Sequence, residues 1–215
     1  MKGKEMNKIF VILIMVVVFN LVSCEQKPSA DQRFEALAKN YIEELLKINP
    51  QWATSLGDHR YDHLLNDYSL AGIERNRRLH KAYLDSLAKI DVTQLNKVNK
   101  IDYKILQSNL RYTIFHLDTL REYEWNPLVY NIGGAIYGLI AREFAPLKER
   151  LLNVKKRLKA IPTVIVHAKK NLKNPPKIHT ETAILQNQGN INMIRTKLNM
   201  FLEKVPEVKE EFVPV

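Results

Sequence analysis

Sustained helical periodicity is the feature that most constrains this chain. From about Lys97 to Tyr123 the apolar residues Ile101, Ile105, Leu106, Leu110, Leu117 and Leu120 recur mostly at three-, four- or seven-residue intervals, the spacing of one helical face. Only 7 of 215 residues are Gly, while Leu, Lys, Ile, Glu and Ala dominate the periodic segments, so local propensity favours helix over strand nearly everywhere. The expected fold is all-α, an irregular multi-helix array built around one core. The 46% hydrophobic and 26% charged content suits a packed chain rather than a disordered one.

Punctuation divides the helices. Ser29 with Gln32 forms a capping-box pattern, followed by the stripe Phe34, Leu37, Tyr41, Leu45 and Ile48. Asn49-Pro50 ends that helix and opens a short one closed by Gly57, after which "DHRYDHLLNDYS" reads as irregular. Ser69 begins a second long helix with Ile73, Leu79, Tyr83, Leu84 and Leu87 on one side. "WNP" ends the third, and the glycine-containing "NIGGAIYGLIAREFAP" permits close backbone approach and a cavity lining. Pro146 opens a helix to about Ile161, Pro162 another to Leu172, and Pro175-Pro176 resets the chain before a last helix over about Thr180–Lys204.

The N-terminus has a different character. Lys2, Lys4 and Lys8 precede an apolar run from Ile9 to Phe19, shorter than the roughly 20 residues of a membrane span, and "LVSC" follows. This is the pattern of a secretory leader over residues 1–23, and "LVSC" resembles a bacterial lipobox that makes Cys24 the lipidated first residue of the mature protein. A tether over 24–29 would then lift a helical domain, 30–215, off a membrane. Cys24 is the sole cysteine, which excludes an intramolecular disulfide or a thiolate metal cluster. Loss of the leader lowers the formal charge from +10 to +8. The excess gathers in "KKRLK", Lys155 to Lys159, and in Lys169, Lys170 and Lys173, interleaved with apolar residues as on helices with solvated outer faces. Nucleic acid is not the expected partner of an exported chain lacking stacking aromatics beside these cations, whereas anionic lipid headgroups are a better use for the charge.

Six histidines offer no complete active site. His59 and His63 in "DHRYDH" are four apart, but Gly57 has just ended a helix, so a turn in which Asp58 and Asp62 bond local backbone N–H groups or Arg60 is the simpler reading. His80, His116 and His167 stand alone within helices. In "NPPKIHTETAILQN" His179 and Glu181 are about 200° apart around a helix and cannot face one metal. As a helix start the segment makes sense, with Thr180 or Thr182 capping, Glu181 at the positive end of the dipole and His179 just outside.

The strings "INPQWATSLGDHRYDHLLNDYS", "DYKILQSNLRYTIFHLDTLREYEWNPLVYN", "GGAIYGLIAREFAP" and "NLKNPPKIHTETAILQN" resemble, in order, the N-terminal half of the bacterial family called domain of unknown function 885, from about Phe34 onward. Full-length members of that family are often exported or lipid-anchored and resemble helical zinc metallopeptidases, with a cleft between two halves and a downstream H-E-x-x-P-G-H motif. The chain departs from the family at His63, where an acid is expected. It also stops at "EEFVPV" before any zinc motif, so neither metal ligands nor a general base carry over to its residues. The resemblance implies a non-catalytic, truncated N-terminal portion of an exported envelope lipoprotein, without a cofactor of its own, whose zinc would sit in a longer relative. His179, Glu181 and Gln186 are its candidate contacts to a peptide substrate held with a missing C-terminal half. The alternative is a stand-alone helical lipoprotein that binds a peptide or protein without catalysis, with a surface that buries the apolar tail Phe212, Val213 and Val215.

Overall fold

The computed structural model describes residues 27–212. The leader, Cys24, the start of the tether, Val213 and Val215 lie outside them. Helices follow one another as α1 (Ala30–Ile48), α2 (Pro50–Leu56), α3 (Leu70–Leu87), α4 (Lys97–Phe115), α5 (Gly133–Ala141), α6 (Leu147–Asn171), α7 (Lys177–Met193), α8 (Asn199–Leu202) and α9 (Pro206–Lys209), with no strand among the described residues. The fold is all-α and irregular, as the periodicity predicts.

The caps follow the local sequence. Ser29 and Gln32 close a reciprocal capping box at α1, and the Ser69 hydroxyl accepts from the Gly72 N–H at the start of α3. Gly57 ends α2 at φ +92°, a left-handed conformation a side chain would strain.

Two apolar clusters hold the array. In the first, Phe34 and Tyr41 of α1, Leu87 of α3, and Tyr103, Leu106 and Leu110 of α4 come together. In the second, Ile136, Leu139 and Ile140 of α5 pack on Leu151, Val154 and Val164 of α6, with Leu198, Leu202 and Val208 closing it from the C-terminal side. Phe212 packs against this second cluster, so part of the apolar tail does have an internal partner.

Three expectations change. Pro162 does not divide the chain, because α6 runs through it as a single 25-residue helix. A mid-helix proline forfeits one hydrogen bond and costs about 3 kcal/mol. Buried Val154 and Arg157 before it and Val164 after it supply the packing that offsets the loss. In α4 the buried stripe is Tyr103, Leu106 and Leu110, while Ile101 and Ile105 are 61% and 54% exposed. The helix therefore has a second apolar face outside the core. It ends earlier than expected, passing at His116–Leu120 into a π-helical turn that stops at Arg121, φ +50°. The third change is in "KKRLK", where Arg157 is 0% exposed rather than solvated.

Candidate functional site

Two polar assemblies stand out beside the second apolar cluster. The first grows from "DHRYDH". Asp58 caps the 3-10 turn His59–Tyr61 through the Arg60 N–H and binds the Arg60 side chain. Asp62, expected to behave in the same way, instead turns inward and is 1% exposed. Its Oδ1 accepts from the Thr54 hydroxyl at 2.6 Å, and its Oδ2 lies 2.9 Å from His59 Nδ1. The Thr54 oxygen in turn accepts from Arg157 Nη2 at 2.6 Å, while Arg157 Nη1 donates to the Ala135 carbonyl. A single hydroxyl thus bridges a buried anion and a buried cation, the hydroxyl and the cation lying 103 residues apart in the chain. Burial pulls the Arg157 pKa down to about 10, and the Asp62 charge opposes that fall. The guanidinium stays charged at neutral pH, so removing Asp62 would leave it uncompensated in the interior.

His59 stacks face to face on Phe144, with ring centroids 3.6 Å apart, and His63 is exposed. The two histidines do not converge. Among the described residues no three His, Cys, Asp or Glu side chains gather as a metal site requires, so the donor set present here does not fit zinc. With Arg157 tied to Thr54 and Ala135, the assembly fastens α2 and its following turn to α5 and α6. Its chemistry is structural.

The second assembly surrounds α7, where the sequence places His179, Glu181 and Gln186. The helix begins at Lys177 with Pro176 as its cap residue and no side-chain cap. Thr180 and Thr182 do not cap it: their hydroxyls donate back to the carbonyls of Pro176 and Ile178. The extended Pro175-Pro176 pair lets the helix start at once, and both threonines then lie within its first turns.

His179 and Gln186 are seven apart and share the face of α7 turned toward the protein. The His179 ring meets Trp125 edge-on at 5.5 Å, and its Nδ1 is buried without a hydrogen-bond partner. Gln186 accepts from Asn131 Nδ2. Asn131 Oδ1 receives both Asn190 Nδ2 at 2.9 Å and the Gly133 N–H at 2.8 Å. Glu181 does not join them. It is exposed on another face, 3.7 Å from Lys177.

Gly133 explains one glycine of the "GGAIYG" string, since a Cβ there would collide with Asn190 Oδ1. The expected close approach is therefore real at this position. Beside the Asn131 ladder an apolar pocket of about 370 Å³ opens between α6 and α7, walled by Tyr130, Ile161, Val164 and Ala183, with Lys169 and Asn190 also lining it.

Nothing in the local pattern announces Thr54, Asp62 or Asn131. Arg157 was legible in principle, because Arg150, Val154, Arg157, Ile161 and Val164 fall on one helical face. Both arginines of that stripe are indeed buried, Arg150 donating to the carbonyls of Leu139 and Ile140 in α5 and of Ala145 in the loop after it.

A family model described as a bacterial protein of unknown function (DUF885) matches residues 50–212. Among solved structures, one described as a candidate lipoprotein of unknown function from Shewanella oneidensis is 30% identical, with a TM-score of 0.73. The alignment covers 77% of this chain and 30% of that protein, so this chain spans less than a third of its relative's length. No curated protein matches the chain.

Proposed function

Since this chain belongs to the bacterial DUF885 family, we propose that it forms one wall of a peptide-binding cleft in a lipid-anchored envelope protein related to zinc peptidases. It supplies neither the metal ligands nor the general base. Helix α7 carries this reading: of its 17 residues only Ala183 is buried, while Ile178, Ile184, Leu185 and Ile191 are 47–68% exposed. A helix apolar on several sides with so little cover is unusual for a free surface. Glu181 lies among these exposed residues, and Asn131 anchors the inner side of the same helix through Gln186 and Asn190. The arrangement suits a rigid wall whose outer face meets a substrate and the chain opposite. Cys24, six residues before α1, is the proposed lipid attachment point, and zinc would belong to the longer protein. That this chain spans 30% of its structural relative supports the same division of labour.

The test is to express the longest open frame containing the chain and measure bound zinc and peptide hydrolysis with and without chelator. Stoichiometric zinc, chelator-sensitive cleavage and a loss of cleavage in Leu185→Glu at unchanged thermal stability are the expected results. A stable product without metal or hydrolysis would overturn the reading. It would favour instead a stand-alone lipoprotein that binds peptides without catalysis, a reading to which the packing of Val208 and Phe212 into the second cluster lends weight.

A further inference from the structure

A groove of about 810 Å³ runs between α1 and α4, on the first apolar cluster and apart from α7. Along α1 its lining extends from Phe34 to Asn49, which at 1.5 Å per residue is about 22 Å. Its rim carries the second apolar face of α4 together with apolar residues of α1 and α2. Ile42, Trp52, Ile105 and Tyr112 all line it and are 46–62% exposed.

Helix α3 forms the floor through Asn76 and His80. His80 is 1% exposed, and its Nδ1 lies 2.8 Å from the Asn76 carbonyl. A carbonyl only accepts, so Nδ1 carries the proton and Nε2 is left as an acceptor without a protein partner among the described residues. Burial holds the His80 pKa below its usual value, which keeps the ring neutral. Asn76 Oδ1 is a buried acceptor with no partner. An unpaired imidazole nitrogen and a buried unpaired amide oxygen on the floor of an apolar groove suit a donor from outside. The charged lining residues are Glu35, Glu43 and Asp102 against Lys39, an acidic lining on a chain of formal charge +10. Glu43 also reaches Arg60 at 2.9 Å, and Glu35 accepts from Asn99 at 2.9 Å.

We propose that this groove receives an amphipathic helix of about 15 residues from a partner protein, its apolar face interrupted once by a lysine or arginine that donates to His80 Nε2 and Asn76 Oδ1. The guest occupies the fourth position of a bundle that α1, α3 and α4 leave open. An extended peptide fits less well, because each of its backbone N–H and C=O groups would need its own partner along the groove. A helix satisfies its own backbone and asks only for the one side-chain contact.

The probe is a fluorescein-labelled synthetic helix of about 15 residues with a leucine face and one central lysine, titrated by fluorescence anisotropy into the full chain held in phospholipid nanodiscs. Its twin carries norleucine in place of the lysine. The expected result is saturable binding of the lysine peptide, about tenfold weaker for the twin, with that preference lost in Asn76→Ala. Ile105→Glu, at an exposed position that the fold does not need, should abolish binding of both peptides. Equal affinity of the twins, unchanged binding to Ile105→Glu or no saturable binding would each overturn the proposal. So would a dimer of the chain that Ile105→Glu dissolves, since the occupant would then be a second copy.

Discussion

The cluster of α1, α3 and α4 and the cluster of α5 and α6 are both built on helical periodicity, yet they differ at their polar centres. In the first, the polar groups are neutral: Tyr41 sets its ring edge-on to His80 at 5.7 Å, and His80 bonds its own helix. In the second, a full cation and a full anion are buried against the apolar residues and joined through Thr54. Neutral groups tolerate an open groove beside them, whereas buried charges demand closed, directional partners. The first region accordingly has room for an occupant, and the second is fastened across distant segments.

The difference can be broken most severely at the charged centre. Arg157→Ala leaves Asp62 buried without its cation, and a loss of about 3–5 kcal/mol is expected by urea denaturation. Leu110→Ala, at a position 0% exposed in the first cluster, should cost about 3 kcal/mol through transfer and cavity terms. Single-tryptophan variants sharpen the contrast, since Trp52 lines the groove and Trp125 contacts His179. If the two regions form one cooperative unit, both reporters will follow the same curve in each variant.

Acid separates the regions more gently. His80 titrates below its ordinary value of 6.5 in the fold because burial disfavours the charged ring. Below 6.5 the unfolded chain takes up a proton that the native state refuses. The stability that His80 contributes is therefore complete above 6.5 and is lost as the pH falls toward its folded value. The urea midpoint should drop between pH about 7.5 and about 5.5, and the drop should shrink in His80→Phe. The smallest expected effect is Ser29→Ala, about 1 kcal/mol from the lost cap of α1, visible as a lower Tm with native-state Trp125 emission unchanged.

Much of this molecule is legible in short stretches of its sequence. The capping box at Ser29, the cap at Ser69 and the left-handed stop at Gly57 depend on neighbours within a few residues, and all three form as the local pattern predicts. Local rules fail where distant packing or a neighbouring segment outweighs them. Pro162 lies inside α6 because buried residues before and after it, Leu151, Val154 and Val164, pack into one cluster and hold the helix together. Thr180 and Thr182 fail to cap α7 because the prolines before them begin the helix three residues early. Of the expected contacts, His179 and Gln186 share a face of α7 while Glu181 does not, a division that the helical angle already implied.

By itself the sequence determined the helical class, most helix ends and the family likeness, since each follows from periodicity, short-range hydrogen bonding or ordered strings of residues. Only the tertiary structure decided that Asp62 and Arg157 face each other through Thr54, that Asn131 ties α7 to the start of α5, and that the outer face of α4 borders a groove. The physical reason is distance along the chain. A buried charge or an unfilled groove is defined by partners up to 103 residues away, and nothing in a local window records which of the many compatible side chains will close around it.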